Sequence, residues 1–324
     1  MADPSYNNTH RAFLQYLMAH QTTTFEDAKP RLAAILTAHE PDRPTLPEDV
    51  TADDFEAYID AIHAAISPYD FESRNALDQK NPQTRVYALV NTTSDVFAQL
   101  STPHTPDEIA FVKRVLDAMF ETNNTRRAEV MAIASMQALK LAKTPASEER
   151  REEGQGLATH AGLTQSQAER TMDSMVAEGW FEVSRKGFYS LTPRALMELK
   201  GWLVETYDDR DGEDEEGDDE VERTRIKFCA ACREIVTVGQ RCPNLDCLGR
   251  VHDHCARNLF RAQGGREECP VCKRAWVDPP PVGEKAWRNA GGGGGRRSTN
   301  GTSQANRRRA ADTELDVESG AEEG

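Results

Sequence analysis

All seven cysteines of the 324-residue chain fall between Cys229 and Cys272, and with one histidine they read C-x2-C-x9-C-x4-C-x4-H-x2-C-x13-C-x2-C. The donors are Cys229, Cys232, Cys242, Cys247, His252, Cys255, Cys269 and Cys272. Eight soft nitrogen and sulfur donors are what two closed tetrahedral sites require, so two structural Zn ions are the expected cofactors. Pairs with two intervening residues let both thiolates turn toward one ion while backbone amides face the sulfurs. The stretch GRVHDHC (249–255) offers two histidines. Two residues separate His252 from Cys255, the spacing of a chelating pair, whereas His254 adjoins Cys255 and neighbouring side chains diverge. His252 is therefore read as the ligand and His254 as a surface residue; the reverse assignment stays open, because metal sites tolerate odd spacings.

Two arrangements share this C4HC3 ligand order, the PHD finger and a RING variant. A PHD finger carries tryptophan two residues before the seventh ligand, where this chain has Glu267. The last pair instead reads CPVCK (269–273), which resembles the second zinc loop of RING domains. RING-like is the favoured reading. Both arrangements imply a cross-brace: Cys229, Cys232, His252 and Cys255 on zinc one, and Cys242, Cys247, Cys269 and Cys272 on zinc two.

A module of this size with few large apolar side chains needs such staples, and the rest of the chain must carry its own cores. Residues 1–8 read as frayed. A first block, 9–122, opens with helical patterns at 9–20 and 24–37, the second expected to break or kink at Pro30. Thr51 starts an amphipathic helix with Phe55, Ile59, Ile62 and Ile66 on one face. Strands are expected at 69–77 and 85–91, and a last helix at 106–121 closes the block. A second block, 123–205, repeats the order: a helix over 127–142 with Val130, Ile133, Met136 and Leu139 on one face, then the linker 144–156. A helix follows that is capped by Thr164 with Gln167 and stopped by Gly179. WFEVS and FYSLT form a hairpin around Gly187, and Pro193 opens one more helix. Helices followed by a hairpin, twice, read as tandem winged helices. The predicted fold is mainly α with small β-hairpins, ending in a C4HC3 RING-like cross-brace domain at 226–280.

The net charge of −15 is unevenly placed. Residues 205–222 hold 12 acids and one arginine, while 223–282 hold 11 Lys/Arg against 6 Asp/Glu. The acidity thus belongs to a linker, 206–225, too charged to fold and read as a solvated tether. Residues 281–324, with GGGGG and two arginine clusters, read as a disordered tail. No apolar run is long enough to span a membrane, and the N-terminus MADPSYNNTHRAF shows no secretory pattern. An odd number of thiols in a reducing compartment favours metal over disulfides. No catalytic triad, phosphate loop or H-E-x-x-H site occurs in the sequence.

Taken with FCAAC, the spacing from VHDHC to CPVC, and GLTQSQAERTMDSMVAEGWF with its hairpin and LTPRAL, the chain over residues 9–280 resembles the non-SMC element 1 family. These are the RING-bearing subunits of the SMC-five/six chromosome-maintenance complex. The resemblance implies a MAGE-fold winged-helix partner, a kleisin subunit, action in DNA repair, and a partner-assisted ubiquitin ligase. A RING has no nucleophile; it holds a ubiquitin-conjugating enzyme so that a substrate lysine can attack the thioester. Carried over, the conjugating-enzyme contacts are Ala231, Pro270 and Lys273, with Ala231 smaller than the aliphatic residue usual at that place. A nuclear, chromatin-associated location follows, and Arg296–Arg297 with Arg307–Arg309 resemble a bipartite nuclear signal.

Simpler readings stand beside these. The capped helix over 165–178 offers Arg170 against Glu169, Asp173 and Glu178, a poor phosphate-binding face, so weak DNA contact at most is expected. Arg185 and Lys186 read as an ordinary polar turn. Trp180, Phe181, Trp202 and Leu203 are expected in the core, as are Phe260 and Trp276 in the zinc module. His63 and His160 read as structural. The alternative function is a non-catalytic zinc scaffold, either a PHD-like reader or a structural brace.

Overall fold

The computed structural model describes residues 6–92, 103–143, 162–208 and 224–290. The linker 144–156, His160, most of the acidic stretch and both arginine clusters lie outside the described residues. The fold is mainly helical with three small antiparallel sheets, and it ends in a RING-like zinc module.

The first block runs α1 (Asn8–His20), β1 (Thr22–Thr24), α2 (Phe25–His39), α3 (Ala52–Ile66), β2 (Phe71–Leu77) and β3 (Arg85–Asn91). Thr24 and Thr51 cap α2 and α3 by accepting from the N–H groups of Asp27 and Asp54. Contrary to expectation, α2 continues through Pro30 without ending. Proline removes one backbone donor there, and the burial of Ala28, Leu32 and Ala33 holds the helix on both sides of it. The strands pair in the order β1-β3-β2. Strand β3 explains its own apolar run, RVYALVN, because its two faces serve two cores. Tyr87 and Leu89 pack with Phe13, Phe55, Ile59 and Ile62 of the helices. Val86, Ala88 and Val90 turn the other way and meet Met197 of the second block.

The second block comprises α4 (Pro106–Asp117, prolonged by a π-helical turn over Ala118–Thr122), β4 (Ile133–Ala134), α5 (Ser135–Lys140), α6 (Gln165–Ala177), β5 (Phe181–Val183), β6 (Phe188–Leu191), α7 (Pro193–Glu198) and α8 (Lys200–Tyr207). Here the structure departs from the sequence reading in two places. Helix α4, expected to close the first block, joins the second: Phe111, Val115, Leu116 and Met119 share a core with Ala168, Met172 and Leu203. The expected helix over 127–142 shrinks to α5, and Met136 of its supposed apolar face is exposed. Residues 128–132 instead run as an irregular buried segment, with Met131 at a φ of 45°. The Thr164–Gln167 capping box forms as expected, each residue accepting from the other's backbone N–H. Trp180, Phe181 and Leu203 are buried in the core.

The zinc module contributes β7 (Gly239–Arg241), β8 (Arg250–Val251), α9 (Asp253–Ala262) and β9 (Pro281–Val282), ordered β8-β7-β9. The expected tail therefore begins too early. Residues 281–290 are structured: β9 pairs with β7, Ala286 is fully buried, and Trp287 meets Phe188 edge-on at 5.5 Å.

Nor does the module hang on a tether. The carboxylate of Asp208 accepts from the N–H groups of Arg225 and Ile226 at 2.6 and 2.9 Å, so the two ends of the acidic stretch are held together. One apolar core continues from α4 and α6 through Ile226, Val236, Val251 and Val282.

Candidate metal centre

Each CxxC pair sits in a knuckle of the same build. In the first, the Cys229 N–H donates to the Glu234 carbonyl and the Arg233 N–H to the Cys229 carbonyl. In the second, Cys269 and Lys273 repeat this with Arg274 and Cys269. The turn requires a left-handed residue after the second cysteine, and Arg233 and Lys273 occupy it at φ of 65° and 61°. Amides face the sulfurs: those of Ala231, Asn244 and Gly249 donate to Cys229, Cys242 and Cys247 at 3.3–3.4 Å.

The fold gathers two tetrads whose ligand atoms lie within 4.8 Å of one another: Cys229, Cys232, His252 and Cys255, and Cys242, Cys247, Cys269 and Cys272. This is the interleaved pairing of a cross-brace. His252 turns Nδ1 toward the Cys232 and Cys255 sulfurs at 3.2 and 3.9 Å, while its Nε2–H faces the Ile235 carbonyl at 3.1 Å. That second bond fixes ring orientation and tautomer, as outer partners do for metal-bound histidines. His254 is not on the open surface as expected. It is half-buried, its ring stacked on His252 with centroids 5.0 Å apart.

The donor set fits zinc. Four soft donors close each site and leave no position for a reacting water, so the ions would hold the fold rather than do chemistry. Burial pushes the Cys242 thiol up to about 12 and the Cys255 thiol up to about 11. Without a cation these sulfurs keep their protons, so metal binding releases protons and weakens in acid. A Cβ on Gly249 would lie 2.6 Å from the Cys269 sulfur and 3.4 Å from that of Cys247. Gly249→Ala is accordingly expected to weaken the second site by at least tenfold, read by chelator competition, with the first site little changed.

Ala231 is exposed on the first knuckle, and Pro270 is half-buried on the second. Lys273 is exposed and donates from Nζ to the Pro270 carbonyl at 3.1 Å. Phe260 and Trp276 meet at 5.9 Å, with Trp276 buried and its Nε1 donating to Gln240, so this pair forms part of the module's core.

The sequence reading missed what locks the module in place. Glu129, 1% exposed, bridges Lys227, Arg241 and Arg250, its carboxylate accepting from Nη2 and Nε of Arg250 at 2.5 and 2.6 Å. Burial alone would raise the Glu129 pKa. The Arg250 hydrogen bonds and the charges of Lys227, Arg250 and Arg241 outweigh it and bring it to about 2. Around this centre Arg126 pairs with Asp246, and Asn124 donates to the Arg225 carbonyl. Lys186 of the second hairpin pairs with Glu284 at 2.9 Å and stays exposed. No sequence pattern announces this, because an acid in AEVMAI is an ordinary helix residue until its partners are placed.

The family model described as the Nse1 non-SMC component of the SMC5-6 complex matches residues 10–199, more than half the chain. The chain belongs to that family. A second model, a RING-like domain, matches residues 229–272, the span from the first ligand to the last. Among curated relatives, the human non-structural maintenance of chromosomes element 1 homolog is 22% identical over 83% of this chain and 84% of its own length. The Schizosaccharomyces pombe element 1 is 22% identical over 70% of this chain and 79% of its length. A chain of a solved Nse1-Nse3-Nse4 complex superposes with a TM-score of 0.62 at 19% identity, covering 85% of this chain and 99% of that one. At that identity the superposition shows a shared fold.

Proposed function

We propose that this Nse1-family chain is a RING-type ubiquitin ligase subunit of an SMC5-6 complex, acting in the nucleus on chromatin in DNA repair. The observation that carries the reading is the cross-brace itself: two closed tetrads that hold two knuckles rigid, with Ala231, Pro270 and Lys273 on them. Such a module supplies no nucleophile. It would hold a charged conjugating enzyme against the knuckles and gain rate through positioning. Lys273, whose Nζ is already steadied by the Pro270 carbonyl, would carry the cation beside the bound ubiquitin. The two helical blocks, read as winged helices because each has helices followed by a hairpin joined by an earlier short strand, would dock a MAGE-fold winged-helix subunit and a kleisin. The three-component composition of the solved relative's complex supports those partners.

A second reading, a non-catalytic brace, is favoured by the Glu129 centre, which welds the module to the second block. The small side chain of Ala231 points the same way. A PHD-like reader has less support, since Trp276 is buried and cannot line an open cage.

The deciding experiment is discharge of ubiquitin from a charged conjugating enzyme by the full chain, with and without a MAGE-fold partner. Discharge that needs the partner and falls at least tenfold in Lys273→Ala supports the ligase. No discharge across a panel of conjugating enzymes, with the partner bound, makes the module a brace.

A further inference from the structure

Between β2 and β3 the turn 78–84 is closed by bonds from Asp78 N–H to the Thr84 carbonyl and from Thr84 N–H to the Asn81 carbonyl, both 2.9 Å. Two consecutive side chains leave this rigid turn for two different parts of the molecule. Lys80 goes to the second block, donating to Ser190 Oγ at 2.8 Å and pairing with Glu182 at 3.0 Å. Gln79 goes to the zinc module. Its Nε2 donates to the Ile235 carbonyl at 2.8 Å, and its Oε1 accepts from Thr237 N–H, Thr237 Oγ1 and Val238 N–H at 3.0, 3.2 and 2.8 Å.

The Ile235 carbonyl is the group that faces Nε2 of the ligand His252. We propose that Gln79 is a positioning residue for the first zinc tetrad, tying the first block's hairpin through the Ile235 carbonyl to His252. The inference concerns metal retention and stands whether or not the chain is a ligase.

A carbonyl oxygen has two lone pairs, and here one meets Gln79 and the other His252. Ile235 and Thr237 are 2% and 5% exposed, so the run 235–238 has little water to replace the four bonds that Gln79 makes. Without them the run would shift to find other partners, and the histidine would lose the fixed acceptor that sets its ring. The second tetrad has no histidine, and the groups that Gln79 bonds, on Ile235, Thr237 and Val238, include none of its ligands. A defect at Gln79 should therefore reach one ion and not the other.

The test uses the full chain loaded with Co(II). The first tetrad, with its imidazole nitrogen, and the second, which is all thiolate, have distinct ligand-field bands and can be followed separately during chelator challenge. Gln79→Ala is expected to speed loss of the first-tetrad signal about tenfold, the lower end for outer-shell partners, and to leave the all-thiolate signal unchanged. Gln79→Glu keeps the oxygen that serves 237–238 but sets an acceptor against the Ile235 carbonyl, and it should release the first ion at least as fast. Lys80→Ala, which frees the same turn from the second block only, should leave both rates as in the parent chain. Equal acceleration at both sites, no acceleration in Gln79→Ala, a parent-like Gln79→Glu, or a Lys80→Ala variant as fast as Gln79→Ala would each overturn the proposal.

Discussion

Glu129→Gln is expected to lower the unfolding free energy of the full chain by about 3–5 kcal/mol, because it removes the buried negative charge that Lys227, Arg241 and Arg250 share. Trp276 and Trp287 flank the affected region and report its unfolding in urea. The loss should be partly recovered by adding Lys227→Met, which removes one of the three buried cations that faced the lost charge. A charge-independent packing defect would not be rescued in that way, and equal stability of the single and double variants would refute the electrostatic account.

The same carboxylate sets a pH dependence. Its pKa falls from 4.5 to about 2 on folding, a shift worth about 3 kcal/mol. A depressed carboxylate stabilises fully above its unfolded pKa, and that contribution is lost as the pH falls from 4.5 toward 2. The parent chain should thus lose stability more steeply than Glu129→Gln across that window. Acid also strips zinc from thiolates, but the ligands are common to both proteins, so the difference between the two curves isolates Glu129. Parallel curves would show that the buried pair contributes nothing to acid sensitivity.

Cys269→Ser carries the largest expected effect. The bound metal should fall from two ions to one, with collapse of the second knuckle and of the turn around Gly249, because a metal site of this kind contributes on the order of 10 kcal/mol to the module it folds. The structure sets how far the damage spreads. The core containing Cys242, Cys247 and Cys269 is continuous with Phe111, Met172 and Leu203, so hydrogen exchange should rise in α4 and α6 as well. The core of Phe13, Phe55, Ile59 and Tyr87 is separate and should stay protected. Retention of two ions would refute the ligand assignment, and exchange confined to 226–290 would refute the shared core.

The metal centre was legible because ligand chemistry is local. Donor type and spacing name the ligands, and the place of His252 relative to Cys255 favours it over His254, the residue that the fold leaves out of the tetrad. Helix ends were equally readable where one residue decides them, as at Thr51, Thr164 and Gly179, since capping involves groups only a few positions apart. The β2–β3 hairpin also followed from its own turn residues. What the sequence could not settle was which surfaces meet. The apolar face of α4 fits either block equally well as a pattern, and only packing assigns it to the second. Residues 128–132 carry helical periodicity, yet the ion cluster around Glu129 outweighs one helical turn and holds them irregular. Low-complexity composition after 290 hid the structured run 281–290, whose strand exists only because β7 offers it an edge. Gln79 carries no signal at all in a polar turn. Its role depends on the Ile235 carbonyl, 156 positions away in the chain, and only the folded structure brings the two together.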